Sequence, residues 1–384
     1  MTTKELDEKY VAGTYARFDV ALKSGKGSTL YDEDGKSYID FGSGIAVNTF
    51  GAADDVWKAA VIAQLDKIQH TSNLYYNENG AHLAEILCRR TGMKKVFFSN
   101  SGAEANECAI KTARKFGTDK DPGKNVIITL ENSFHGRTVT TLAATGQDVF
   151  HKYFTPFTEG FKYIPPTAAA LYNAVDDSVC AVMIETIQGE GGVNVLPDEF
   201  LSAVEKVTSE RDILLVIDEV QTGNGRTGKL YSYMNFGLTP DIISTAKGLA
   251  GGLPMGATLL GERVQDTLGR GMHGSTFGAN PVCAAAAVSN MERLTGGFLA
   301  EVSEKGEYIK SALEKINGVK SVSGKGLMLG AEIEKNAAET AAECVVCGLL
   351  ILTAKTRLRI VPPLNITYDE INRGLEILKG VIEK

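Results

Sequence analysis

The chain has 384 residues, of which 43% are hydrophobic and 23% charged, and its formal net charge is −7. This is ordinary globular composition, long enough for two structural domains with a sizeable core. The acidic balance and the lack of any basic stripe argue against nucleic acid as a partner. No apolar stretch is long enough to span a bilayer, and the charged residues 1–10 lack the apolar centre of a secretory signal, so a cytoplasmic location is expected.

Within the first forty-odd residues, 29–31 and 37–40 read as short strands. Seven apolar runs follow, at 95–98, 126–130, 161–164, 181–184, 214–217, 242–245 and 255–260. Most are rich in Val, Ile or Phe and lack a 3.6-residue period, so they read as strands buried on both faces. Helix-like segments lie between several of them. In 103–116, Ala105, Ala109, Ala113 and Phe116 line one face; in 198–211, Phe200, Val204 and Val207 do. Strands alternating with helices predict an α/β fold with a mostly parallel sheet.

From Pro281 the pattern changes. Helices are predicted over 281–294 and 299–316, strands near 327–333 and 358–361, and a terminal helix over 368–383. The expected organisation is a large domain over 45–284 and a smaller α+β domain over 285–384, joined by residues 1–44. Six cysteines are scattered, and only Cys344 and Cys347 form a C-x-x-C. With no second pair, inside an apolar stretch, it reads as packing. The five histidines show no metal-ligand spacing, and no metal is expected.

Gly223-Asn224-Gly225-Arg226-Thr227-Gly228 matches G-x-G-x-x-G, yet no helix pattern follows. With Lys229 it approaches a Walker A loop, but Leu230 stands where Ser or Thr is needed. A better phosphate site is Ser99-Asn100-Ser101-Gly102-Ala103-Glu104, where a strand runs into a helix. Helix N-termini leave N–H donors free and favour anions. The same residues also read as a plain capping box, Ser101 with Glu104.

Polar residues gather at other strand ends. Asp218 closes 214–217 and is followed by Glu219, Val220 and Gln221; Lys247 closes 242–246. A lysine there can form a Schiff base with an aldehyde, and an aspartate nearby can hold a pyridine nitrogen protonated, which suits pyridoxal phosphate. Phe134 could stack on a flat ring and Arg137 could fork onto a carboxylate. Ligands of open α/β sheets bind beyond the carboxyl ends of strands.

These pieces resemble the class III, or ω-amino, pyridoxal-phosphate aminotransferases. The resemblance is carried by residues 14–18, 43–48 and 72–77, then by Asn100-Ser101-Gly102-Ala103-Glu104-Ala105-Asn106-Glu107 and Phe134-His135-Gly136-Arg137-Thr138. It continues through Gln188-Gly189-Glu190-Gly191-Gly192, Asp218-Glu219-Val220-Gln221-Thr222-Gly223, Ala246-Lys247-Gly248, residues 273–278 and residues 358–364. They span nearly the whole chain in order. Two positions depart: residues 49–54 lack the usual histidine-and-proline pattern, and Ala279 stands where glycine is usual.

The resemblance implies an aspartate-aminotransferase-like fold of type I, a homodimer with shared active sites, and small-molecule substrates. It implies that Lys247 carries the cofactor and that Asp218 pairs with its ring nitrogen. Gly102, Ala103, Phe134, Glu219, Val220 and Gln221 would complete the cofactor site, with Thr276 added from the partner subunit. Arg137 would bind substrate carboxylate with Ser275 near it, and Glu190 with Arg359 would form a switch between two substrates. The implied donor is N2-acetyl-L-ornithine with 2-oxoglutarate as acceptor. Ornithine, succinyl-ornithine, N-succinyl-diaminopimelate and 4-aminobutyrate are alternative donors, and a non-catalytic cofactor-binding protein is the alternative of another class.

Overall fold

The structure is a computed structural model and describes residues 1–384. The seven apolar runs form one sheet: β1 (Lys95–Ser99), β2 (Val126–Leu130), β3 (Phe161–Ile164), β4 (Val179–Ile184), β5 (Leu214–Asp218), β6 (Ile242–Thr245) and β7 (Gly256–Leu260). Their order across the sheet is β1-β7-β6-β5-β4-β2-β3. Only β7 runs against its neighbours β6 and β1; the other pairs are parallel. Every residue of β4, β5, β6 and β7 is buried, so these runs show no alternation in sequence. Across β5 and β6, Asp218 pairs with Ser244. That register brings the carboxyl ends of both strands, and the turn holding Lys247, to the same edge.

The helix Gly102–Thr118 packs on this sheet through Ala105, Ala109 and Ala113, as their spacing predicts. Small side chains bring it close. A Cβ added at Gly117 would lie 2.0 Å from the Lys124 carbonyl oxygen and 2.6 Å from Cys180 Cβ. Ser101 caps the helix, its hydroxyl accepting from the Glu104 N–H while the Glu104 carboxylate accepts from the Asn100 N–H at 2.8 Å.

The strands Leu22–Lys26, Thr29–Asp32 and Ser37–Asp40 form an antiparallel sheet, and its last strand pairs in parallel with Leu349–Leu350. A further sheet holds Val319–Lys325, Met328–Ile333, Arg357–Ile360 and Leu352–Ala354 in that order. Among the helices outside those expected, the longest are Asp55–Leu65, Glu78–Thr91 and Ala337–Val346. In the first, Trp57 and Val61 pack half-buried on the core while Val56, Ile62 and Leu65 are exposed, so apolar residues lie on both faces and no clean stripe marks it. Cys344 is buried at the end of the third, and Cys347 is exposed beyond it. No helix is long and apolar enough to cross a membrane.

The segment 223–228 opens no helix. Its Arg226 is buried, and the guanidinium donates to the carbonyl oxygens of Leu327 at 3.0 Å and of Pro362. Burial pushes that guanidinium down to about 9, with Asp40 opposing. The glycine loop therefore ties the sheet carrying Asp218 to the C-terminal strands.

Gly117→Ala is expected to destabilise the protein by about 1–3 kcal/mol, since the contacts are backbone and core and cannot move aside. Urea unfolding followed by circular dichroism measures this; an unchanged midpoint contradicts the packing described.

Candidate active site

Beyond the carboxyl edge of the sheet lies a cavity of about 410 Å³. Asp218 and Lys247 both line it, with Gly102 and Ala103 at the helix N-terminus and Phe134 and Arg137 from the loop after β2. Val220 and Gln221 complete the set of predicted residues that reach it.

The buried Asp218 carboxylate is held by three segments. Its Oδ1 accepts from the Val220 N–H at 3.0 Å, and its Oδ2 accepts from Asn106 Nδ2 at 2.8 Å. His135 Nδ1 also lies 2.8 Å from Oδ2. A buried carboxylate needs such partners, because losing water without replacement hydrogen bonds is costly. Asn106 Oδ1 and His135 Nε2 are buried without a partner in the protein.

Lys247 sits at φ +44°, in the left-handed region, between β6 and the glycine-rich turn. Burial lowers its ammonium below the usual lysine value. Glu190 opposes this, Arg359 adds to it, and Asp218 and Glu185 oppose it more weakly. Glu190 and Arg359 face each other, with Arg359 Nη1 donating to Glu190 Oε1 at 2.5 Å. The buried Gln221 joins both. Its Nε2 donates to Glu190 at 3.2 Å, and its Oε1 accepts from Arg359 at 3.1 Å. Burial acts to raise the Glu190 acid, but the Arg359 charge and hydrogen bond outweigh it and hold the carboxyl below its usual range. A Cβ at Gly189 would meet the Gln221 side chain at 2.5 Å, so only glycine lets this cluster close.

The helix N-terminus offers free donors. Glu104 N donates to Ser101 Oγ and Ala105 N to the Ser101 carbonyl, while the N–H groups of Gly102 and Ala103 have no protein acceptor. A Cβ at Gly102 would lie 2.6 Å from Val220, so this end of the cavity is shaped by glycine. Phe134 is half-buried and meets Phe150 edge-on at 5.9 Å. Arg137 is exposed and stacks its guanidinium 4.2 Å from the Phe150 ring centre.

Four expected residues do not line the cavity: Glu190 and Arg359 pair with each other beside it, and Glu219 and Ser275 lie apart. Glu219 is fully buried and turned away: its carboxylate accepts from Thr222 Oγ1 at 2.6 Å and from the Tyr233 N–H at 2.7 Å. Successive residues leaving a strand point to opposite sides, which separates Glu219 from Asp218. Ser275 Oγ accepts from Asn100 Nδ2 at 3.1 Å outside the cavity lining, and Thr276, expected to serve the partner's site, is exposed. Conversely, Asn106, His135 and Glu185 line the cavity without having been singled out. Glu185 is buried and accepts from the N–H groups of Phe134 at 3.0 Å and Gly189 at 3.1 Å. Burial pushes its acid up to about 7, against the pull of His135. An asparagine amid the small-residue face of a buried helix was the readable sign for Asn106.

The arrangement suits pyridoxal phosphate. Free N–H donors suit a phosphate, the Asp218 carboxylate a protonated ring nitrogen, and the lowered lysine an aldehyde carbon.

Comparison with known proteins agrees. The model of the family described as aminotransferase class-III matches residues 10–382. The chain is 51% identical to the acetylornithine aminotransferase of Haemophilus ducreyi, over 99% of this chain and 98% of that one. It is similar to the crystal structure of N-acetylornithine aminotransferase from Stenotrophomonas maltophilia K279a, with a TM-score of 0.86 and 36% identity, covering 99% of this chain and 98% of that one. The ornithine aminotransferase structure from Toxoplasma gondii ME49 superposes with a TM-score of 0.95 at 30% identity, covering 100% and 96%.

The buried Glu219 acid is pushed up to about 7 by burial, from an ordinary value of 4.5. Between those values the folded state keeps a proton that the unfolded chain has lost, so Glu219 makes stability fall as pH rises through this window. Glu219→Gln cannot ionise. Its stability relative to the parent is expected to rise by about 3 kcal/mol between pH 4.5 and 7 and to stay flat above. Urea unfolding at pH 5 and pH 8 tests this; a pH-independent difference contradicts it.

Proposed function

Because this chain belongs to the class-III aminotransferases, pyridoxal-5′-phosphate enzymes, we propose that it moves the δ-amino group of N2-acetyl-L-ornithine to 2-oxoglutarate. The products are N-acetyl-L-glutamate 5-semialdehyde and L-glutamate, a step of arginine biosynthesis. The observation that carries this reading is the Glu190–Arg359 pair beside the Lys247 cavity. One site must take a donor that presents an amine and an acceptor that presents two carboxylates, and a cation that can be covered or uncovered meets that need.

Lys247 would hold the cofactor through its aldehyde and Asp218 would hold the ring nitrogen. The N–H groups of Gly102 and Ala103 would hold the phosphate, joined by Thr276 of the partner subunit. Phe134, Val220 and Gln221 would complete the ring's surroundings. Bound, the cofactor supplies a conjugated ring that accepts the electrons of the broken C–H bond. The chain's own residues do the rest. Lys247 Nζ, made less basic by burial, would be the base that takes a proton from the donor's δ-carbon and the acid that gives it back. Asn106 and His135 keep the Asp218 carboxylate aimed. Arg137 takes the α-carboxylate of the donor, near Ser275, and the γ-carboxylate of 2-oxoglutarate. Glu190 covers Arg359 while the donor sits and swings off it when the acceptor's α-carboxylate arrives.

The same reading has a homodimer in the cytoplasm, with each cavity completed across the interface. The exposed Leu74, Tyr75, Tyr76 and Phe277 support the dimer, since such patches mark interfaces. It also divides the chain into 45–284 and a smaller unit of 1–44 with 285–384, supported by the pairing of Ser37–Asp40 with Leu349–Leu350. Identity of 51% to an acetylornithine enzyme against 30% to an ornithine enzyme favours the acetylated donor. The presence of both Lys247 and Asp218 disfavours a non-catalytic binding role.

Addition of N2-acetyl-L-ornithine to the holoenzyme is expected to shift its visible absorption, and 2-oxoglutarate to restore it. In a panel with the other ω-amines, acetylornithine among the poorest donors would overturn the substrate assignment. Lys247→Ala is expected to cut turnover by about 10⁴-fold or more while the phosphate contacts retain the cofactor. Turnover near that of the parent contradicts the role given to Lys247. Arg137→Ala is expected to raise KM for donor and acceptor alike, by about 10–100-fold for a lost charge-assisted pair. An effect on one substrate alone contradicts a shared carboxylate site.

A further inference from the structure

Two arginines on one strand grip the same loop. Arg359 pairs with Glu190, while Arg357, two residues earlier, reaches the segment just beyond Glu190. Strand periodicity puts 357 and 359 on one face. Arg357 Nη1 donates to the Gly192 carbonyl oxygen at 3.3 Å, to Asn194 Oδ1 at 3.1 Å and to Ser323 Oγ at 3.0 Å. Its Nη2 meets Glu332 Oε2 at 3.3 Å. The loop needs such a hold, because Glu190 lies between Gly189 and the pair Gly191-Gly192, with Gly192 at φ +118° and Val193 at φ +56°. Asn194 Nδ2 closes the loop on the Gly191 carbonyl at 2.8 Å, and the Val193 carbonyl accepts from Ser323 Oγ at 2.8 Å. Arg357 is thus the side chain that joins Asn194, Gly192 and Ser323 to the strand of Arg359.

We propose that Arg357 is a positioning residue for the Glu190–Arg359 switch: it fixes the Glu190 loop in register with the Arg359 strand, and so sets the preference between amine donor and dicarboxylate acceptor. This rests on the switch reading given above. With the loop held, the switch opens by movement of the Glu190 side chain alone. With the loop released, the closed pair is less populated and Arg359 stays uncovered. A donor without a second carboxylate then binds beside an unpaired buried cation, which is unfavourable, whereas the acceptor gains access.

The test uses the holoenzyme and follows each half-reaction separately by the cofactor's absorbance, with Arg357→Met, Asn194→Ala and Glu190→Gln beside the parent. The ratio of kcat/KM for N2-acetyl-L-ornithine to that for 2-oxoglutarate is expected to fall about tenfold in Arg357→Met, the equivalent of one charge-assisted hydrogen bond. It is expected to fall in the same direction in Asn194→Ala, which leaves the strand untouched. Amides of residues 189–195 are expected to exchange faster with deuterium in both. If both half-reactions decline equally, Arg357 is only a structural brace and the proposal fails. If Glu190→Gln shifts the ratio and neither loop variant does, this proposal fails while the switch stands. If Glu190→Gln leaves the ratio unchanged, the switch reading itself fails.

Discussion

The site depends on one buried carboxylate being fully occupied. Asp218 ends β5 inside the protein, where water cannot solvate it, and takes its hydrogen bonds from Val220, Asn106 and His135. Those donors come from the turn after β5, the helix Gly102–Thr118 and the loop after β2. Satisfying one acid therefore aligns three segments. The helix brings its free N–H groups with it, and the loop brings Phe134 and Arg137. The small residues of that helix are part of the same constraint, because Asn106 reaches Asp218 only if the helix lies close to the sheet.

Around this fixed acid the remaining charges are balanced in a way that allows change. Glu190 raises the Lys247 ammonium and Arg359 lowers it, so the paired charges act on the lysine in opposite directions. Desolvation is the largest influence, and the amine is left less basic than in water. Gln221 contacts both partners and lines the cavity as well, so it links the state of the pair to whatever occupies the site. Glu185 adds a mechanical link by accepting from the N–H groups of Phe134 and Gly189 with one carboxylate.

Much of this was legible in the residues. All seven apolar runs became strands of one sheet, and the four buried throughout are mainly apolar with no alternation because both their faces are covered. The loops after β2 and β5 and the turn after β6 deliver Arg137, Asp218 and Lys247 to one cavity as their strand-end positions implied. What stayed hidden has physical reasons. The helix Asp55–Leu65 packs Trp57 and Val61 on the core but also carries Val56, Ile62 and Leu65 on its exposed face, so the apolar period is blurred. Glu219 stood in the right motif but faces the other side of the chain from Asp218. Asn106 and His135 work through Asp218, and a partner's partner has no spacing of its own in sequence. The Arg357 contacts depend on a hairpin register joining distant strands, which local pattern does not encode.

The pairing of Ser37–Asp40 with Leu349–Leu350 joins segments about three hundred residues apart. During synthesis the N-terminal hairpin emerges long before that partner strand exists, so its edge has nothing to lie against until the last tenth of the chain is made. Contacts of such separation are slow to form and are made late. The sheet with Asp218 and Lys247 is complete by residue 260, whereas the strand that supplies Arg359 belongs to the late-assembled part. The sheet carrying Asp218 and Lys247 is therefore made first, and the strand carrying Arg359 joins a part of the fold that closes only when segments from both ends of the sequence meet.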